Sequence, residues 1–150
     1  MISKEILSQQ YQFSGKKIDV FFDAEFSLIE AKLQKDKTIF ITDENVYAAY
    51  PKKFSGWKCI VIKAGEQFKN QQTVDSIIQQ LIELHADRQT FILGIGGGVV
   101  TDITGFVASI YMRGVRFAFA PTSILAMVDA SIVGKNGIDV GVYKNLVGII

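Results

Sequence analysis

Phe91-Ile-Leu-Gly-Ile-Gly-Gly-Gly-Val-Val-Thr-Asp-Ile-Thr-Gly105 is the stretch from which the rest of the chain is read. It opens with apolar residues of strand character, breaks at three glycines, and resumes from Val99 as an apolar helical pattern carrying one acid, Asp102. A strand that turns through glycine into a helix sets unpaired N–H groups and the positive end of the helix dipole at the turn. Without Cβ atoms at Gly96, Gly97 and Gly98, a phosphate can approach the main chain closely. The stretch therefore points to a nucleotide or dinucleotide site. It does not fit the G-x-G-x-x-G fingerprint: Gly94 and Gly96 match, but the third position is Val99. The glycines alone leave a plain tight turn open as the alternative.

Upstream, residues 16–22 read as a strand after a Ser14-Gly15 turn, and residues 24–35 as a short helix with Phe26, Ile29 and Leu33 on one face. Residues 38–42 are a β-branched run suited to a buried parallel strand. Asp43-Glu44-Asn45 then starts a helical pattern that Pro51 limits. Residues 57–62 form another apolar strand, followed by a polar loop, Lys63-Ala-Gly-Glu-Gln-Phe-Lys69. Val74, Ile77, Ile78, Leu81 and Ile82 mark a helix over 71–85. Downstream of the glycines, a helix over 99–112 stops at Gly114, and residues 115–120 form a strand ended by Pro121. Residues 121–130 read as a helix, 131–139 as a glycine-punctuated loop holding Lys135. The apolar run 146–150 ends as if cut before a further segment. Strands alternating with helices give an α/β class: an open, mainly parallel sheet with helices on both faces.

The bulk properties narrow the function. A chain of 150 residues that is 49% hydrophobic and 21% charged has the composition of one globular domain. Sixteen basic and fifteen acidic residues give a net charge of +1, without the basic footprint of a nucleic-acid binder. The lone Cys59 and lone His85 cannot assemble a zinc site of the common type, and His85 reads as a polar helix-end residue. With no signal-peptide core at the start and no run of roughly 20 apolar residues, the expectation is a cytoplasmic protein with no membrane contact.

Ligands of open α/β sheets gather at the carboxyl ends of the strands. Asp43 and Asn45 fall at such an end, where a carboxylate can take two ribose hydroxyls or simply cap the next helix. In the usual dinucleotide unit the acid follows the glycines; here it precedes them. Glu66 and Lys69 sit on the loop after the next strand, where a solvated charged loop is the plainer explanation. Thr122 and Ser123 begin a helix and can hold a phosphate or cap it. Lys135 and Lys144 lie among Gly, Asn and apolar residues, a setting in which lysine pairs with phosphate or carboxylate as a point charge. No Ser-His-Asp or Cys-His arrangement is present.

As an ordered set, Thr42-Asp-Glu-Asn45, Gly65-Glu-Gln-Phe-Lys69, Gly96 to Phe106, Arg113-Gly114, Pro121-Thr-Ser123, Asp129-Ala-Ser131, Gly134-Lys135 and Lys144-Asn145 resemble 3-dehydroquinate synthase, from about residue 40 to the end. The resemblance implies NAD- and metal-dependent phosphate elimination and cyclisation of a seven-carbon sugar-acid phosphate to 3-dehydroquinate. It implies that Asp43, Asn45, Gly65, Glu66, Lys69, Gly97, Gly98, Val99, Asp102, Thr122, Ser123 and Leu125 line the NAD site, with Lys135 and Lys144 at its substrate side. Asp129, Lys135 and Asn145 would face the substrate, and Arg113 would reach the substrate phosphate of a neighbouring subunit, hence a homodimer. The family binds its zinc or cobalt ion in a C-terminal helical domain, so residues 1–150 would be the NAD-binding part, with no metal ligands of their own and no turnover in isolation. Three segments depart from the family pattern: Val133 and Asn136 in its Gly-Gly-Lys-Thr-Gly segment, Ser123 for threonine, and Tyr143 for glycine. Val133 and Tyr143, which add bulk close to the substrate loop, keep a related sugar-phosphate cyclase open. A metal-dependent polyol dehydrogenase and a non-catalytic NAD-binding module stay open as well.

Overall fold

The computed structural model describes residues 7–13, 16–132 and 134–149. The Ser14-Gly15 turn, Val133, Ile150 and the first six residues, on which some sequence expectations fall, lie outside the described residues. The chain divides into two units, Met1–Leu33 and Gln34–Ile150.

In the first unit, β1 (Ser8–Phe13) pairs antiparallel with β2 (Lys16–Phe21), Tyr11 facing Ile18, and α1 (Phe26–Lys32) follows. The Lys32 ammonium lies 4.8 Å from the centre of the Phe21 ring, a cation–π contact. β1 was not among the sequence expectations. Its Gln-rich run gives no apolar alternation, and its strand state shows only through its partner.

The second unit is built on β3 (Thr38–Asp43), α2 (Glu44–Ala49), α3 (Pro51–Phe54), β4 (Lys58–Ile62), α4 (Gln71–Glu83), β5 (Phe91–Gly96), α5 (Gly98–Ile110), β6 (Arg116–Pro121), β7 (Asn136–Val140) and β8 (Tyr143–Ile149). Four strands form one parallel sheet in the order β4-β3-β5-β6. The chain therefore leaves β3 for β4 on one side and returns to β5 on the other. That reversal opens a crevice at the carboxyl ends of β3 and β5, the place where such sheets take ligands.

Alternation along β3 sends its side chains into two cores. Ile39 and Ile41 join Ile60, Ile92, Val74, Ile77, Leu81, Val100 and Ile103, under α4 and α5. Phe40, fully buried, turns the other way. It stacks on Trp57 at 4.4 Å and meets Phe54 of α3 edge-on at 6.2 Å. Helices thus cover both faces, as expected. Burying each such side chain is worth about 1.5–3 kcal/mol, which holds the central strand against its entropy cost.

Two segments differ from the expectations. The 131–139 stretch, read as a loop, contains β7, which pairs antiparallel with β8 and docks on α5. The local sequence is strand-averse, with Asn136, Gly137 and Asp139, so its strand state comes from tertiary contact rather than propensity. Gly105 of α5 makes the docking possible, because a Cβ there would overlap the Asn136 side chain. The helix expected over 121–130 begins only after Ser123 and winds into a five-residue π segment, Ala126–Ala130. There the Ser131 amide donates to the Ala126 carbonyl, five residues back. Segments of this kind concentrate at functional sites.

No described helix is long and apolar enough to cross a membrane.

Candidate functional site

The crevice at the switch point is a cleft of about 290 Å³ lined by Asp43, Asn45, Val46, Lys63, Ala64, Gly65, Gly97, Gly98, Val99, Val100 and Thr122. Seven of the residues singled out in the sequence meet there: Asp43, Asn45, Gly65, Gly97, Gly98, Val99 and Thr122. They arrive at or just after the carboxyl ends of four strands, β3, β4, β5 and β6, which is why residues up to about eighty positions apart converge. A smaller hollow of about 80 Å³ at the opposite, amino ends of the strands is lined by Lys37, Lys58, His85 and Asp87 among others, and holds none of the candidate residues.

At the floor of the cleft, α5 begins without a side-chain cap, its N-cap being Gly97. The first bond of the helix there is Thr101 N–H to the Gly97 carbonyl. The amides of Gly98, Val99 and Val100 thus lie in the first turn, where the helix leaves N–H groups unpaired for an anion. The three glycines divide the work differently from the sequence expectation. A Cβ on Gly96 would sit 2.5 Å from the Val100 side chain, so Gly96 serves close packing under the helix rather than ligand approach. A Cβ on Gly98 would meet nothing within 4 Å, and one on Gly97 would touch only Ser123. The open faces belong to Gly97 and Gly98. Thr122 is tied to the same turn, donating its N–H to the Gly96 carbonyl at 2.9 Å. Ser123 caps the next helical segment, its Oγ accepting from Ala126 N–H at 3.3 Å.

Asp43 caps α2, and both bonds use one oxygen: Oδ1 accepts from Asn45 N–H at 2.9 Å and from Val46 N–H at 3.0 Å. Capping and ligand binding are compatible here, because Oδ2 takes no hydrogen bond among the described residues. Glu44 anchors the neighbouring loop by accepting from Lys63 Nζ at 3.1 Å and Ala64 N–H at 3.3 Å; the Lys63 bond, then the Ala64 amide, hold its carboxyl below the usual range.

A second constellation centres on Lys69, whose side chain is 5% exposed. Its ammonium lies 2.8 Å from Asn145 Oδ1, 2.9 Å from Glu66, 3.3 Å from Asp102 and 3.8 Å from Asp139. Burial pulls the lysine pKa down, but the Glu66 hydrogen bond and the charges of Asp102 and Asp139 outweigh it, and the net shift is upward. Asp102 shifts up as well, first through burial; Lys69 opposes that, while Glu66 and Asp129 add to it. A solvated loop, the plainer explanation for Glu66 and Lys69, is thus not what the structure shows for Lys69. Asp139 was not singled out in the sequence. Its one sequence signal was an acid inside an apolar, glycine-punctuated run.

Asp129 lies on the π segment and Leu125 just before it, the latter 69% exposed. Lys135 and Lys144 are exposed and make no ion pair among the described residues. Arg113 follows the far end of α5 and has φ +66°. Thirteen helical residues separate that end from the glycine turn, a span of about 20 Å. Arg113 therefore does not join this chain's own cleft. Among the described residues no group of three or more His, Cys, Asp or Glu is arranged to hold a metal ion.

The comparisons with known proteins agree on the kind of chain this is. Residues 59–150 match the family described as 3-dehydroquinate synthase N-terminal. A 3-dehydroquinate synthase of Alkaliphilus oremlandii is 43% identical over 127 residues, covering 81% of this chain and 35% of the relative. One from Lactiplantibacillus plantarum is 47% identical over 116 residues, 72% of this chain and 32% of the relative. The chain thus spans about a third of the length of these relatives. Among solved structures, 2-deoxy-scyllo-inosose synthase complexed with carbaglucose-6-phosphate, NAD+ and Co2+ superimposes with a TM-score of 0.80 at 26% identity, over 95% of this chain and 43% of that one. 2-epi-5-epi-valiolone synthase of Streptomyces hygroscopicus with NAD+ and Zn2+ bound gives 0.70 at 29% identity, over 75% and 34%.

Proposed function

The chain belongs to the 3-dehydroquinate synthase family, and we propose from that premise that it is the NAD-binding part of a phosphate-eliminating lyase. The enzyme would convert a seven-carbon sugar-acid phosphate to 3-dehydroquinate, a step of the shikimate route, in the cytoplasm. The observation that carries the reading is the uncapped start of α5 at the switch point, with Gly98 open to a cleft that Asp43 and Thr122 also line.

The cleft suits NAD. Amides in the first turn of α5 would take the pyrophosphate, Asp43 Oδ2 and Asn45 the ribose hydroxyls at the adenosine end, and Gly65, Val99, Thr122, Ser123 and Leu125 the walls. Glu66, Lys69 and Asp102, which cluster with one another outside the lining of the cleft, would add charge on the cofactor side. Held in the cleft, NAD would supply reversible hydride transfer at a ring carbinol, with no net change in its oxidation state and so no outside oxidant needed. The chain's own contribution is placement and charge. Lys69 presents a buried cation held rigid by four oxygens. Asp129, Lys135, Lys144 and Asn145 would face the substrate, the lysines as counter-charges for its carboxylate and phosphate. Arg113, remote from its own cleft, would serve the phosphate of a second copy, which makes the working form a homodimer. The described residues offer no donor set for the divalent metal, zinc or cobalt. Residues 1–150 alone would not turn over.

The test is phosphate release from the seven-carbon sugar-acid phosphate by the full chain, with NAD binding followed by calorimetry. Saturable NAD binding with phosphate release supports the reading. Absence of NAD binding, or net reduction of NAD by a simple polyol, overturns it.

A further inference from the structure

Asp139 has no role in the proposed reaction, yet it touches both halves of the site. Its N–H donates to the Lys69 carbonyl at 2.8 Å, and the bridge Asn70–Asp139 runs parallel at the same place. Its Oδ1 accepts from the Asn145 N–H at 2.7 Å and stands 3.8 Å from Lys69 Nζ. Asn145 in turn receives Lys69 Nζ on its own side-chain oxygen at 2.8 Å. Asp139, Lys69 and Asn145 thus close a ring of contacts between the cofactor-side loop and the β7–β8 hairpin.

The hairpin register shows what that ring does. Ile138 faces Val147, and the next pair is Val140 with Tyr143. Between those pairs a single residue, Asp139, stands opposite three, Lys144, Asn145 and Leu146. A bulge of this kind leaves backbone groups without a ladder partner. Asp139 supplies the missing partner through its carboxylate. Asn145 also holds φ +50°, a left-handed conformation that asparagine tolerates better than most residues and that suits the bulge.

We propose that Asp139 is a positioning residue: its accepted hydrogen bond builds the bulge that holds Lys144 and Asn145 in register with Lys69. The inference rests on the proposed function, in which Lys144 and Asn145 serve the substrate. Its consequence is a division of labour. NAD binding depends on the α5 turn and stays intact without Asp139, whereas turnover depends on the bulge.

Three variants of the full chain separate hydrogen-bond geometry from charge. Asp139→Asn keeps an acceptor and loses the charge; Asp139→Glu keeps the charge and moves the acceptor; Asp139→Ala loses both. NAD affinity is expected to stay within about threefold in all three. The kcat for phosphate release is expected to stay within about threefold for Asn and to drop at least about tenfold for Glu and Ala, the scale set by lost orientation of reacting groups. Exchange of the Asn145 amide with solvent gives a readout independent of turnover. It should be slow in wild type and Asp139→Asn and fast in Asp139→Glu, and in Asp139→Ala if that variant folds. Wild-type kcat in the Glu variant, Asn as impaired as Glu, or NAD affinity lost in step with kcat would each overturn the proposal. If wild type shows slow exchange but neither NAD binding nor phosphate release, it is the proposed function that fails, and the exchange pattern still decides the role of Asp139 in the bulge.

Discussion

Lys69 Nζ and the Asp102 carboxylate meet at 3.3 Å although 33 positions separate them, joining the loop after β4 to α5. The pairing is unequal. Lys69 has other oxygens around it, while Asp102 is pushed above its ordinary pKa by burial that Lys69 only partly offsets. An acid whose folded pKa is raised contributes most below its unfolded value, and stability declines as pH rises through the raised pKa. Asp102→Asn removes that decline. At about pH 7 the variant should melt at or above the wild-type temperature, by up to a few degrees for a domain of this size, with the difference vanishing at about pH 3. NAD affinity should drop, the usual exchange of function against stability. Thermal melts across that range are the measurement, and a lower melting point for Asp102→Asn at neutral pH would count against the account.

Removing the lysine has the opposite sign. The raised pKa of Lys69 means that its contribution is complete below the ordinary lysine value and is lost only in strong alkali, as pH climbs through the raised value. Lys69→Met leaves the largely buried Asp102 carboxylate without its cation, and breaking a buried pair in this way costs about 3 kcal/mol or more. The loss should be largest at neutral pH and shrink on acidification, as Asp102, raised by burial and deprived of the opposing Lys69 charge, takes up a proton. Urea denaturation at neutral and at acidic pH checks this; equal losses at both would show that packing, not charge, is what Lys69 supplies.

The parallel sheet was readable because Ile39, Ile41, Ile60, Ile92 and the periodic face of α4 report burial directly. The cleft was readable because strand ends and a glycine turn have recognisable chemistry, and Asp43, Gly98 and Thr122 indeed meet. What sequence spacing could not show was tertiary. The state of β7 depends on Gly105 making room for Asn136, on Gly137 facing Gly148, and on Gly141 at φ +60° turning the hairpin between Val140 and Tyr143. That last feature did leave a trace, since a two-residue turn with glycine at its first position is a hairpin signal. Asp139 stayed hidden for the same reason: its partner Asn145 is defined by the register, not by spacing.

Gly96 and Gly98 should respond to substitution in opposite ways. A methyl group at Gly96 runs into Val100 at 2.5 Å, and overpacking of this kind costs about 1–3 kcal/mol. Gly98 is open, so Gly98→Val should leave the melting temperature within a few degrees of wild type while filling the space over the first-turn amides. Its NAD affinity is expected to drop at least about tenfold, because a phosphate can no longer reach the main chain. Calorimetric titration beside thermal melts separates the two effects. Full NAD affinity in Gly98→Val would remove the α5 turn from the site.

Asp43 carries two roles on two oxygens, and substitution can part them. Asp43→Ala removes the cap that Oδ1 gives to Asn45 and Val46, which costs about 1 kcal/mol. Asp43→Ser restores a cap but not a carboxylate, so it should recover most of that stability. It should not recover NAD affinity, since a lone hydroxyl already engaged in the cap cannot also take the ribose hydroxyls left to Oδ2. The expected pattern is therefore stability lost in Ala and regained in Ser, with NAD binding weakened in both by a similar factor. If Ser regains binding together with stability, Asp43 acts on the cofactor only through the start of α2, and the ribose contact belongs to another residue of the cleft.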